Sequence, residues 1–226
     1  MSRYRHKPGI SSRDYQKRPS LFRQRQAFQE IGTSSKASAL FRNSIAALLQ
    51  RGKDSKTHLR FNSAMYRVLS KDTINPVGDR KVENGNIQLL QGFAFNAFAT
   101  LHNILFAAGS YSINRTEGQC TWRVNSFQPI EKLKAPPGAS HFKLVSAGVE
   151  VDFANSIAMA NINESGYLLL DGVPTGDVQL TSAVTPNTSL PLFLVAGVQF
   201  YEKVNNNFYA LNDKKFNPLM IVEVDA

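Results

Sequence analysis

The chain is poor in the residues that build metal and redox sites. Cys120 is the only cysteine among 226 residues, which excludes an internal disulfide and a multi-cysteine metal site. The four histidines, His6, His58, His102 and His141, are far apart, and no pair has a ligand spacing such as HxxxH. The motifs GxxxxGK[ST], GxGxxG and GxSxG are absent. We therefore predict no metal, no cofactor and no enzymatic activity, and no small-molecule substrate is evident.

Long apolar runs are lacking as well. None approaches the roughly 18–20 residues that span a bilayer, so we expect no membrane span. The N-terminus has basic residues but no apolar stretch behind them, so we expect no cleaved Sec signal. The simplest location is then the cytoplasm or the interior of an assembled particle. Glu150 and Asp152 alternate on a predicted strand, where two acids most simply form a solvated face.

The charge that is present lies unevenly along the chain. Residues 1–81 contain 18 Lys and Arg against 5 Asp and Glu, a net of +13. Residues 82–226 contain 8 against 12, a net of −4. The apolar pattern changes at the same point, from helical spacing to short alternating runs. Two differently built parts therefore share the chain, and the basic part comes first.

Residues 1–25 are predicted to form a basic, extended arm. They hold one acid, Asp14, and few apolar side chains, so they cannot bury enough surface to offset the entropy of ordering. The basic residues are Arg3, Arg5, Lys7, Arg13, Lys17, Arg18, Arg23 and Arg25. Three interpretations remain open: binding to nucleic acid, docking on a neighbouring subunit, or a solvated tail.

Residues 26–75 are predicted to form a helical hairpin. Apolar residues at steps of three and four indicate a helix over 34–51, with Thr33, Ser34 and Ser35 as candidate N-caps, and a second helix follows a short link. A shorter helix is expected around residues 21–31. The apolar stripe comprises Leu40, Phe41, Ile45, Leu48, Leu49, Phe61, Met65, Val68 and Leu69. Two helices cannot close a core alone, so this stripe packs either within the chain or on another subunit.

Residues 80–226 are predicted to form an antiparallel β-sandwich, Ig-like or jelly-roll-like, which makes the whole an α+β fold. A phase change near 146–148 suggests a β-bulge, and the asparagine run at 205–207 suggests a hairpin turn. The strands are expected at 87–95, 101–106, 120–127, 141–153, 167–170, 178–183, 192–200, 208–211 and 219–224.

Five segments carry a resemblance to a known family. They are 18–32 (RPSLFRQRQAFQEIG), 35–42 (SKASALFR), 78–85 (GDRKVENG), 89–96 (LLQGFAFN) and 200–212 (FYEKVNNNFYALN). In this order they resemble a family of small, uncharacterised basic proteins from Bacteroidota genomes, from about residue 18 to the end. Members often begin with a glycine-rich β-hairpin segment, in whose place this chain has the short basic arm. The resemblance implies the two-part architecture and no known function.

Taken together, the sequence favours a non-enzymatic structural subunit that self-assembles into a virion shell, tail or filament. The arm and the helices would make the contacts between copies of a homo-oligomer. The alternative is a nucleic-acid-binding protein that uses the basic arm and the helix faces. An enzyme or a carbohydrate-binding sandwich would rest on the fold class alone, which does not establish function.

Overall fold

The computed structural model describes residues 11–212 and 215–226. Helices dominate the first third of the chain, and two short ones follow. They are α1 (Ser12–Lys17), α2 (Phe22–Ser44), α3 (Ala46–Gly52), α4 (Thr57–Leu69), α5 (Leu101–Ile104) and α6 (Pro129–Lys132). The 3-10 turns are Pro19–Leu21 and Ile87–Leu90.

The described residues also contain nine strands, which form two antiparallel sheets. They are β1 (Gly109–Asn114), β2 (Gln119–Val124), β3 (His141–Asp152), β4 (Ile157–Glu164), β5 (Leu168–Leu169), β6 (Val178–Ala183), β7 (Leu192–Val204), β8 (Asn207–Leu211) and β9 (Leu219–Asp225). The small sheet has the order β1-β2-β6. The large sheet has the order β4-β3-β7-β8, with β5 on β3 and β9 on β7. The α+β class, with N-terminal helices followed by a sandwich of antiparallel sheets, is confirmed.

The large sheet is covered on both faces. On β3, Phe142 and Leu144 belong to the core under the small sheet, whereas Val145 and Val149 belong to the core under the helices. The alternation of apolar residues along β3 therefore changes because these residues move from the face toward the small sheet to the face toward the helices. Pairing of β3 with β7 is continuous, so the bulge predicted at 146–148 is wrong; the register shift lies between β7 and β9. A Cβ at Gly148 would come within 3.0 Å of Ser182 Cβ, so this glycine permits the close approach of the small sheet.

The predicted apolar stripe packs within the chain. Phe41 contacts Phe193 of β7 edge-on at 5.0 Å between ring centroids and Phe61 of α4 at 5.3 Å. The other stripe residues are buried in the same core, except Leu40, which packs half-buried against it. Of the two alternatives for the stripe, packing on the chain's own sheet is the one found. These side chains are therefore not available to a second subunit.

The N-terminal region is more helical than expected. The segment predicted as an extended arm contains α1 and the start of α2, while Arg3, Arg5 and Lys7 lie outside the described residues. The predicted helices 21–31 and 34–51 begin as one helix that ends only at Ser44. Thr33 and Ser34, expected as caps, instead donate to the carbonyls of Gln29 and Ile31 within that helix.

Two predicted strands are wrong and two strands were missed. Residues 87–95 form a 3-10 turn and a loop, and residues 101–106 contain α5. The loop backbone at 92–95 lies along β9, where Gly92 N–H donates to Ile221 O at 2.8 Å. Strands β1 and β4 had no prediction. The hairpin at 204–209 is confirmed: Asn205 and Asn206 take the positive φ that its turn requires.

Candidate interaction surfaces

Strand β3 separates two opposite ends of the molecule. Its 12 residues rise about 3.3 Å each, so its ends lie roughly 36 Å apart. Beyond its last residue, Phe153 and Ala154 line a groove with Gln29 and Thr33 of α2. Beside its first residue, Leu170 N–H donates to Ser140 O at 2.9 Å. We call these ends the basic end (residues 11–31 and 72–81) and the loop end (Phe106, 126–132 and 171–177).

At the basic end, α1 folds back onto the first half of α2. Arg25 Nη1 donates to the carbonyl of Tyr15 at 2.7 Å and to that of Arg18 at 2.9 Å. The ring of Tyr15 lies 6.5 Å from that of Phe28. Of the predicted arm residues that are described, Arg25 is thus used within the chain. Arg13, Lys17, Arg18 and Arg23 have exposed side chains.

A buried carboxylate holds the first half of α2 to the loop at 72–81. Glu30 Oε1 accepts from Gly78 N–H at 2.8 Å and lies 3.5 Å from Arg80 Nε. The hydroxyl of Tyr66, on α4, donates to Glu30 Oε2 at 3.4 Å. Contacts with α4 and with the loop at 72–81 therefore hold this half of the helix in place.

The basic end exposes large apolar side chains. Phe28 is 57% exposed and Ile31 is 49% exposed, and Phe22 and Ile74 of the same end are exposed as well. Ordinary exposed apolar residues occur singly, whereas a group on one fixed helix marks an interaction surface. Nothing in the sequence pattern distinguishes these residues from the buried ones, which is why sequence reasoning missed them.

Three acids of the helical layer have buried side chains, whereas Asp79 is exposed. Glu30, Asp54 and Asp72 are all buried. Burial alone would raise the pKa of Asp54, but hydrogen bonds from the Ala97 and Lys56 N–H groups and from the Arg60 guanidinium outweigh it and lower the pKa. Asp72 accepts from the N–H groups of Ile74 and Lys81. These three carboxylates therefore do not offset the charge of the exposed basic side chains of this layer.

The loop end carries a second group of exposed apolar side chains. Its two loops are joined because Ile130 N–H donates to Asp171 O at 3.0 Å. Phe106 N–H donates to Lys132 O at 2.8 Å, which places Phe106 next to them. Ile130 and Val173 are each 66% exposed, and Phe106 is 55% exposed. The carboxylates of Glu131, Asp171 and Asp177 lie in the same loops, with Lys132 as the one cation of those loops.

An aromatic cluster on the large sheet has its interaction partners within the chain. Tyr167 stacks on Phe208 at 3.7 Å between centroids, and Lys143 Nζ lies 4.2 Å from the Tyr167 centroid. Burial alone would lower the pKa of Lys143, but its ion pair with Glu164 at 2.5 Å outweighs this and raises it. Because Tyr167 already has both neighbours, the cluster offers no open ring for a nucleic-acid base.

Two side chains with catalytic potential, Glu150 and Cys120, are buried. Glu150, expected on a solvated face, is buried and accepts from Thr185 N–H at 3.0 Å and Thr188 Oγ1 at 2.9 Å, so that expectation is wrong for Glu150. Burial raises the pKa of the Cys120 thiol to about 12, which keeps it protonated.

Within residues 11–212 and 215–226, no three His, Cys, Asp or Glu side chains lie close enough to hold a metal ion. None of the helices described there is long and apolar enough to cross a membrane. No family model, no curated protein and no solved structure matches the chain.

Proposed function

We propose that this protein is a non-enzymatic structural subunit that assembles head to tail, the basic end of one copy docking on the loop end of the next. The observation that carries the proposal is the pair of exposed apolar groups at opposite ends of β3, Phe28 and Ile31 at one end and Ile130 and Val173 at the other. A contact between unlike surfaces that does not close into a ring propagates as a filament.

The charges favour contact between unlike ends. Arg13, Lys17, Arg18 and Arg23 are exposed at the same end as Phe28 and Ile31, so two basic ends would repel each other. Glu131, Asp171 and Asp177 lie in the loops that carry Ile130 and Val173. Opposite charges at the rim fix the orientation of a docked pair, while the apolar centre provides the affinity.

Light scattering coupled to size exclusion tests the proposal on the full chain. The wild type should give a mass well above 25.1 kDa that rises with concentration. F28S/I31S and I130S/V173S should each lower that mass, because both sides of one contact are needed. L59S is the matched control, since Leu59 is 56% exposed on α4 but belongs to neither end. A wild type that stays monomeric at high concentration contradicts the proposal.

A second candidate function is nucleic-acid binding by the helical layer. The buried position of Glu30 favours it. Arg13, Lys17, Arg18 and Arg23 face solvent, and α2 exposes no carboxylate beside them. Fluorescence anisotropy with single- and double-stranded DNA over a salt series tests it. Each lost phosphate contact should reduce the salt slope by about 0.7–0.9. R18Q/R23Q should reduce it and R123Q, on the small sheet, should not; equal effects would argue against this function.

A further inference from the structure

Strand β4 forms an open edge of the large sheet. It pairs with β3 over all eight of its residues, and within residues 11–212 and 215–226 no strand pairs with its other side. Ile157 and Met159 are exposed on the face toward the small sheet, and Ile162 is exposed on the face toward the helices. Natural edges are usually blunted by Lys, Pro or a bulge. Here the only charged residue is Glu164, the last one, which is paired with Lys143.

The hydrogen-bond ladder shows which backbone groups face outward. Val151 N–H donates to Pro191 O, on the side of β3 away from β4. Its partner across the ladder, Ala158, therefore belongs to a non-bonded pair and directs its N–H and C=O away from β3. The same alternation applies to Ala160 and Ile162. Ala158, Ala160 and Ile162 thus each direct a backbone N–H and a backbone C=O outward, at the spacing with which a further antiparallel strand would pair.

Another candidate edge is already covered. Along β9, Ile221 N–H donates to Phe93 O at 3.0 Å and Phe95 N–H donates to Leu219 O at 2.8 Å. The loop at 92–95 thus acts as a cover strand there. In contrast, β4 is a long edge of the large sheet along which no described strand or loop makes a backbone ladder.

We propose that β4 pairs antiparallel with β4 of a second copy about a two-fold axis at Ala160, a lateral contact that is independent of the head-to-tail ends. In this register Ala160 faces Ala160 and Ala158 faces Ile162, so outward-facing groups meet outward-facing groups. On the other face Met159 lies opposite Asn161. No like charges meet, although the chain carries a net charge of +9.

A groove beside β4 supports a second copy as the occupant. It has a volume of about 390 Å³ and is lined by Met159, Ala160 and Asn161 of β4 and by residues 183–186. The partner strand would add its own Met159 next to Asn161, on the face where this groove opens. The exposed apolar side chains of the edge would then fill the groove that the same edge borders.

The test uses the full chain with both ends blocked, F28S/I31S/I130S/V173S. Light scattering should give a dimer, about twice 25.1 kDa. Adding A160P should convert it to a monomer, because proline removes an outward N–H that the β3 ladder does not use. Adding A160S, which keeps that N–H, should leave the dimer. A monomer before the proline is added, or a dimer that survives it, overturns the proposal.

A cross-link provides a readout that does not depend on tolerance of proline. In the proposed register the two Ala160 Cα atoms lie about 5.5 Å apart, within disulfide range. A160C should therefore form a covalent dimer on mild oxidation, whereas A210C, a half-buried alanine of the edge strand β8, should not. The native Cys120 is fully buried and does not compete. No covalent dimer from A160C overturns the edge contact, whereas unchanged high mass in the end-blocked variant overturns only the head-to-tail contact.

Discussion

Both halves of α2 contain phenylalanine, but the surroundings of these rings are opposite. In the second half, Phe41 is fully buried between Phe61 and Phe193. In the first half, Phe28 is 57% exposed, and the ring of Tyr15 lies 6.5 Å from its ring. The second half crosses the large sheet, and the first half extends past the end of β3. Position over the sheet, and not the type of residue, decides which aromatic side chain stabilises the fold and which is left for an interaction.

The largest expected difference is in stability. F41A removes a fully buried ring and should lower the free energy of unfolding by about 3–5 kcal/mol. F28A removes an exposed ring and should change it by at most about 0.5 kcal/mol. Urea denaturation followed by circular dichroism measures both. Equal losses would show that the first half of α2 is as firmly packed as the second.

Substitutions at two glycines test the same comparison through a smaller change in the free energy of unfolding. A Cβ at Gly52, in α3 over the sheet, would lie 2.7 Å from Leu219 Cβ. G52A should therefore cost about 1–3 kcal/mol. A Cβ at Gly32, in the interior of α2, would meet no atom within 4 Å. G32A should stabilise by about 0.5–1 kcal/mol, since alanine favours helix. Thermal melts check the signs, and a gain at both positions would contradict the packing of α3.

The smallest expected effect is on how the stability of the protein depends on pH in acid. Asp54 accepts from Ala97 N–H at 2.8 Å and so ties the start of α4 to the loop at 95–98. Because hydrogen bonds lower its pKa below the ordinary 3.8, its contribution to stability is complete above that pH and is lost as the pH falls through the lowered pKa.

D54N should therefore reduce the loss of stability that occurs as the pH falls below about 4. E117Q, at an exposed turn carboxylate, is the control and should retain the wild-type slope. Denaturant titrations across this pH range measure the slopes. A wild-type slope in D54N would mean that the charge of Asp54 does not hold the helical layer.

Local patterns predicted those parts of the fold that local forces decide. The alternation in β3 and β6 and the asparagine turn between β7 and β8 depend on neighbours in sequence, and they were found. The strand predicted at 87–95 failed because its apolar residues are buried by the helices and by β9 rather than by strand alternation. Strand β4 had no prediction, because its residues alternate small and large side chains without a clear apolar face.

The interaction surfaces could be predicted only in part. The basic residues at 13–25 were named from composition, and four of them are exposed at one end. The stripe proposed for assembly was predicted correctly as an apolar face, but it covers the chain's own sheet. No local signal could show this, because whether Phe28 or Phe41 is covered depends on where β3 ends.

Mixing the two end variants tests the central claim most directly. F28S/I31S retains an intact loop end, and I130S/V173S retains an intact basic end, so one contact between them survives. Sedimentation velocity should show that the equimolar mixture contains larger species than either variant alone. A mixture that sediments as the simple sum of its components would contradict head-to-tail assembly through these ends.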